Sequence, residues 1–220
     1  MRVLEEQRRY YAARAPEYDD WWFRTGSYEL PPEEQERWDA DVAEVEAALA
    51  AFAPTGSVLE LAAGTGLWTR QLVRTAARLV AVDASPEVLE RNRARVGGGV
   101  EYVVADLFDW RPAERFDACF FGFWLSHVPR ERFAEFWALV RSALVPGGRV
   151  FLVDSGAGDG VHTRRAEGDR ELRRISDGRE FRIVKRYWTP DALAQETRKL
   201  GFELDLRSSA NGSFLYGSGT

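Results

Sequence analysis

The stretch "VLELAAGTGLWT", Val58–Thr69, puts an acid, Glu60, near the end of an apolar run and follows it with Gly64 and Gly66. Glycines after a buried strand allow a bend with almost no side chain, so a ligand can touch the backbone there. The neighbouring carboxylate repels a phosphate and suits a cation. Two further acids close apolar runs: Asp83 in "LVAVDASPEVL" and Asp106 in "VVADLFDW". A carboxylate in such a place can accept two adjacent hydroxyls or an exocyclic amine. The chain has only two histidines, His127 after "FGFWLS" and His162 in a charged connection. A neutral imidazole can take a proton from a hydroxyl or a thiol near its ordinary ionisation at about pH 6.5.

Strands alternating with helices must hold these groups. Apolar β-branched runs are expected as strands at Val58–Leu61, Leu79–Val82, Val100–Val104, Phe116–Phe121 and Arg149–Val153. Helical spacing lies between them, over Leu67–Ala76, Pro86–Val96 and Arg130–Ala143. That rhythm predicts a parallel, doubly wound sheet, with ligands outside the carboxyl ends of its strands. Ahead of it, "RVLEEQRRYYAARAPEYDDWWF" reads as a helix broken at Pro16, the Pro31–Pro32 region as a loop, and Trp38–Phe52 as a helix. Beyond it, about Ser155–Gly178 reads as a charged connection and "EFRIVKRYW" as a strand. "TPDALAQETRKLGF" reads as a helix capped by Thr189 and Pro190 and stopped at Gly201. "FELDLRSS" and "SFLYG" read as a hairpin that places an antiparallel strand near the sheet edge.

The glycine bend is a poor dinucleotide fingerprint, because Thr69 occupies the place of the third glycine and Glu60 precedes the loop. S-adenosyl-L-methionine, which carries an ammonium and a sulfonium and no phosphate, fits the acid better. In that reading Asp83 accepts the ribose hydroxyls and Asp106 the adenine amine, beside Leu107 and Phe108. With the "VPGG" turn before the fifth strand, "ELAAGTG", Asp83 and Asp106 in this order resemble the class I S-adenosylmethionine-dependent methyltransferases of small molecules, over about Val58–Tyr216. The resemblance implies a Rossmann-like α/β fold. Its doubly wound sheet would have seven strands, mostly parallel with one antiparallel strand near the C-terminus, and helices on both faces. Residues 41–220 would form this domain and 1–40 a helical cap over the site. Ala62 stands where the family often has glycine. Further cofactor contacts are expected from Ala62, Gly64, Gly66, Ala84 and, if it is more than a helix hydroxyl, Thr69. The leading segment "YYAARAPEYDDWW" resembles the family's cofactor-covering helix, with Tyr11, Arg14 and Tyr18 aligned. Arg14 would then meet the cofactor's carboxylate.

On the acceptor side, His127 is a base or a wall of the pocket, and His162 is the next candidate. Trp21, Trp22, Phe123 and Trp124 either wall an apolar pocket or fasten the N-terminal helix to the body. The expected reaction moves a methyl group from S-adenosyl-L-methionine to O, N or S of a small molecule, leaving S-adenosyl-L-homocysteine. A non-catalytic cofactor-binding subunit is the alternative, and a nicotinamide-dependent oxidoreductase a more distant one. The 159–186 connection holds more Lys and Arg than Asp and Glu, a hint of an acidic acceptor.

Bulk properties exclude other classes. The 220 residues carry a net charge of −5, which gives no basic surface for nucleic acid. No apolar run reaches the length of a membrane span, and the N-terminus lacks a signal peptide's apolar core. The single Cys119 fits a reducing, cytoplasmic setting and reads as a buried small hydrophobe. No metal site is expected, and the protein should be a monomer or homodimer.

Overall fold

A computed structural model describes residues 2–156, 164–165 and 168–220. His162 therefore lies outside the described residues.

The N-terminal segment breaks where Pro16 removes a backbone donor. Helix α1 (Arg2–Arg14) passes into a 3-10 turn at Ala15–Glu17 and then α2 (Tyr18–Phe23), which ends at Arg24 in the left-handed region with φ 52°. Helix α3 (Pro32–Phe52) begins six residues before the expected Trp38. Pro32 opens it at a position where proline's missing N–H costs nothing, and Glu33 and Glu34 favour its positive end. The expected loop at Pro31–Pro32 is thus a helix start.

The sheet follows the expected rhythm through β1 (Ser57–Leu61), α4 (Thr69–Leu72), β2 (Arg78–Asp83), α5 (Pro86–Val96), β3 (Val100–Val104), β4 (Phe116–Gly122), α6 (Phe133–Ala143) and β5 (Leu144–Ser155). Helix α4 is shorter than the Leu67–Ala76 pattern predicts. The N–H groups of Arg74 and Thr75 tighten onto carbonyls three residues back, and those of Ala77 and Arg78 turn to Gly56 O to enter β2. After α7 (Pro190–Lys199), the hairpin β9 (Leu204–Ser208) and β10 (Phe214–Gly219) completes a seven-stranded sheet in the order β3-β2-β1-β4-β5-β10-β9. Strand β10 is antiparallel to both β5 and β9, and the other pairings are parallel. Side chains alternate across it: Leu59 and Leu61 enter one apolar cluster with Phe121 and Leu152, and Val58 enters the other with Phe120 and Phe151. Strand order reverses between β1 and β4, so a crevice opens at their carboxyl ends.

A second, three-stranded antiparallel sheet forms where the connection about Ser155–Gly178 was expected, completed by the strand expected in "EFRIVKRYW". It consists of β6 (Arg164–Arg165), β7 (Arg170–Arg174) and β8 (Glu180–Val184). Charged residues hid its first two strands from a search for apolar runs. One face carries Ile175 and Ile183, which pack on Tyr10 of α1. This small sheet and α1 together roof the crevice.

Candidate active site

The floor of the crevice is the bend after β1. Ala62 adopts φ 53° and Gly64 φ 57°, so Ala62 holds the left-handed conformation that glycine adopts more easily. A Cβ on Gly64 would meet only Ala62 O, at 3.9 Å, which leaves the space above it for a ligand. Gly66 has a different role: φ is 91° and a Cβ would lie 2.8 Å from Asn92 Oδ1. Asn92, fully buried on α5, donates to Gly64 O at 3.1 Å and to Thr69 Oγ1 at 2.8 Å. It fixes the bend, and the sequence reading missed it because one asparagine inside a helix carries no pattern. Thr69 is likewise buried and bound within the floor.

Around the floor stand the acids. Asp83 accepts the N–H of Gly64 and that of Ser85, both at 3.0 Å, so its carboxylate is oriented by the loops it joins. Burial pushes its pKa up, against those backbone donors. Asp106 accepts the Phe108 N–H at 3.0 Å and pairs with Arg8 of α1 at 2.7 Å. Glu60 is buried, and its Oε2 has no hydrogen-bond partner among the described residues. Burial raises its pKa to about 8, with Asp83 adding to the rise and a Thr69 hydrogen bond opposing it. A buried carboxyl with one oxygen unpartnered fits a cationic group, although Glu60 itself lines neither cavity. The space above the bend is a cavity of about 300 Å³ that Ala62, Gly64, Asp83, Ala84, Asp106 and Leu107 help to line, with Phe108 and Trp124 at one side.

A second, smaller chamber adjoins it beneath the small sheet. Tyr11, Tyr18, Phe123 and His127 line both cavities, so they stand between the two. Beyond them the chamber is lined by Arg14, Arg173 and Lys185, with Tyr10 and Tyr28, and by no carboxylate among the described residues. The Arg14 guanidinium lies against the rings of Tyr10, Tyr18 and Tyr28 at 5.2 to 5.7 Å, and its Nε has no hydrogen-bond partner among the described residues. Lys185 Nζ donates to Ser155 Oγ at 2.8 Å and Ser126 Oγ at 3.0 Å, with Asp154 at 3.9 Å. Arg173 pairs with Glu171 at 2.7 Å. Arg173 and Lys185 were not singled out in the sequence, because Arg173 lies in what read as a charged connection and Lys185 is one of several cations in the expected strand "EFRIVKRYW".

His127 is buried against Val184 O, 2.7 Å from Nδ1, and Tyr11 Oη, 2.6 Å from Nε2. A carbonyl only accepts, so Nδ1 carries the hydrogen and Nε2 accepts from the Tyr11 hydroxyl. Burial and the nearby Lys185 hold the imidazole's pKa well below its usual value. The expected ionisation near pH 6.5 is therefore displaced downward. Burial pushes the Tyr11 and Tyr18 hydroxyls up, so both stay protonated donors.

The structure divides the expected residues differently in three places. Arg14 lines the cationic chamber and not the larger cavity beside Asp83. Trp22 is buried among Trp38, Trp68 and Phe214 and lines neither of these two cavities. Trp124 stands with Phe108 on the larger cavity, Trp21 faces the chamber, and Phe123 borders both. Cys119 is buried in the core, where burial pushes its thiol pKa up. No group of His, Cys, Asp and Glu suited to a metal occurs among the described residues. No helix among them is long and apolar enough to cross a membrane.

A cation-seeking cavity at the switch point of such a sheet defines a class, and comparison with known proteins agrees. A family model described as a methyltransferase domain matches residues 58–148. A solved complex of DhpI with SAM and HEP is 36% identical, covers 99% of this chain and 97% of its own, and superposes with a TM-score of 0.82. The chain belongs to the class I S-adenosylmethionine-dependent methyltransferases. Among curated relatives, the demethylmenaquinone methyltransferase of Clavibacter sepedonicus is 39% identical over 102 residues, covering 44% of this chain and 40% of the relative. The N-terminal Xaa-Pro-Lys N-methyltransferase 1 of Danio rerio is 31% identical over 113 residues, covering 49% and 51%. The chain spans about half the length of the curated relatives it matches.

Proposed function

We propose that this protein transfers a methyl group from S-adenosyl-L-methionine to an oxygen of a small anionic molecule. The single observation that carries the acceptor's class is the chamber lined by Arg14, Arg173 and Lys185 without a carboxylate. Cations and tyrosine hydroxyls there favour an oxyanion and oppose an amine, which at neutral pH arrives as an ammonium.

Glu60, Asp83 and Asp106 would hold the cofactor at its cationic end, its ribose and its adenine, with Ala62, Gly64, Ala84, Leu107 and Phe108 shaping its bed. When bound, the cofactor supplies an electrophilic methyl on a sulfonium. The chain's own residues do the rest. Arg14, Arg173 and Lys185 draw the anion in and fix one end of it. Tyr11, Tyr18 and Phe123 stand between the two spaces, where the reactants must meet, and positioning there supplies the acceleration. An oxyanion needs no base. His127 therefore acts by orienting the Tyr11 hydroxyl, with its Nε2 lone pair accepting that hydrogen. The α1–α2 roof excludes water, which would otherwise stabilise the charged reactants more than the less charged transition state. The protein is read as working in the cytoplasm, as a monomer or homodimer, with no nucleic-acid or membrane partner.

The test is methyl transfer to paired panels of small compounds, one of carboxylates, phosphates, phosphonates and sulfonates and one of matched amines and thiols. Product should form in the oxyanion panel. Turnover confined to amines would overturn the acceptor assignment, and no cofactor binding by calorimetry would overturn the whole reading.

A further inference from the structure

The cofactor cavity lies between a roof, which includes Tyr18, and a floor, which includes Gly64. The next residue along each is joined to the other. Asp19 Oδ1 accepts the hydroxyl of Thr65 at 2.5 Å, and Thr65 stands between the two glycines of the bend, almost fully buried. Arg95, on α5, completes a triangle. Its Nη1 donates to Thr65 O at 2.9 Å and to Thr65 Oγ1 at 3.2 Å, and its Nη2 pairs with Asp19. Both charged side chains are about one quarter exposed, at 26% and 25%. Roof, floor and α5 thus meet in one charge-assisted network at the edge of the cavity. Asn92 holds the preceding carbonyl from the same face of α5, three residues earlier. Elsewhere the roof is tied by Gln7 and Tyr11 to His127 and by Arg8 to Asp106, the last a pair with Arg8 half exposed and therefore weaker.

We propose that Asp19, Arg95 and Thr65 form a clasp that sets how long the cofactor stays bound, with Asp19 and Arg95 as positioning residues. A ligand lying between Tyr18 and Gly64 can leave only if the two surfaces part. The clasp lies one residue beyond each of them, so parting them breaks it first. A part-buried, forked ion pair with a shared hydroxyl has the right strength for this: strong enough to slow release and exposed enough to reopen in every turnover. This inference rests on the cofactor reading above.

The test is release of radiolabelled S-adenosyl-L-methionine from the protein, chased with unlabelled cofactor and with no acceptor present. Asp19→Asn should speed dissociation about tenfold or more, the lower end of what a charge-assisted bond is worth. Arg95→Lys, which keeps the charge and loses the fork, should fall between the variant and the native protein. Raising salt from about 50 mM to about 500 mM should speed release from the native protein and leave Asp19→Asn unchanged, because salt screens an ion pair and has nothing to screen in the variant. A merely structural role would show as a lower unfolding temperature without this loss of salt response. A native dissociation rate in Asp19→Asn, or a native protein whose release ignores salt, would overturn the clasp. Failure of the native protein to bind cofactor at all would overturn the cofactor reading and the clasp together.

Discussion

The two halves of the site are built in opposite ways. The proposed cofactor half comes from one run of chain, Glu60 to Phe108, in which Asp83 and Asp106 stand at or just past strand ends and each accepts the N–H two residues on, from Ser85 and from Phe108, while Glu60 is buried within β1. The chamber proposed for the acceptor is gathered from α1, the segment after β4, the end of β5, and the small sheet with the residue after it: Arg14, His127, Ser155, Arg173 and Lys185. The first is a device of local geometry and electrostatics, repeated along the sheet. The second exists only once the roof is folded onto the body, since Gln7 of α1 bridges His127 O and the Val184 N–H. A fold can therefore keep its cofactor half while changing its acceptor by altering the roof alone.

The strongest challenge to this division is Arg14→Met. It removes a buried cation from the chamber and should lower kcat/KM for the acceptor about a thousandfold, the scale of a lost buried charge pair, while cofactor affinity stays within about threefold. Equal losses on both sides, measured by steady-state kinetics and calorimetry, would return Arg14 to the cofactor.

Glu60→Gln should do the reverse, weakening the cofactor about 30-fold with acceptor KM unchanged. Its pH dependence is distinctive. With a folded pKa of about 8, Glu60 is protonated at neutral pH in the protein alone and must lose that proton to serve a cation. Cofactor affinity should therefore rise with pH up to about 8 and level off above it, and calorimetry in buffers of different ionisation enthalpy should show proton release near pH 7. Stability runs the other way. A carboxyl raised from 4.5 costs the folded protein stability progressively between pH 4.5 and 8. The Gln variant, free of that cost, should unfold at a higher temperature than the native protein at pH 9 and at a similar one at pH 4.5.

Asp83→Asn exchanges a carboxylate oxygen that accepts a loop N–H for an amide. We expect cofactor binding to fall about tenfold by calorimetry with no change in acceptor KM. A native dissociation constant would remove Asp83 from the ribose.

A smaller effect separates base from positioner. His127→Gln should slow turnover about tenfold, the loss expected when Tyr11 is less well held, with cofactor affinity intact. Because the imidazole's pKa lies well below its usual value, native turnover should be flat between about pH 6.5 and 9. A loss beyond about a hundredfold would make His127 the base. The same depressed pKa means that native stability is lost as pH falls below the unfolded value of about 6.5, and the Gln variant should lack this component.

The smallest change, Thr189→Ala, removes the cap that accepts the Ala192 N–H on α7, far from both halves. It should cost about 1 kcal/mol of stability by denaturant unfolding and leave both ligands' binding untouched.

Much of this was legible in order along the chain. Period-two and helical patterns located the strands and the helix Pro86–Val96, Thr189 and Gly201 bounded α7, and the acid-glycine bend located the crevice, because each depends on residues a few positions apart. Helix α4 was overread, because its later N–H groups are claimed by Gly56, a partner 21 and 22 residues earlier. Strand β8 was expected from "EFRIVKRYW", but its partners β6 and β7 were not, because buried residues there are few and separated by charged ones, whose stems cover apolar surface.

What the sequence determined by itself is the sheet, its switch point and the chemistry of a cationic ligand there, since strand ends, glycines and acids act through backbone geometry that neighbours in sequence set. Only the tertiary structure decided that Arg14 faces the chamber, that Trp22 is core and Trp124 a wall of the larger cavity, and that His127 is buried between Val184 O and the Tyr11 hydroxyl. Those outcomes follow from which side chains the roof brings within a few ångströms across more than a hundred residues of chain, as Tyr11 meets His127. Burial and partners gained at that distance set both orientation and charge, and neither leaves a mark on spacing.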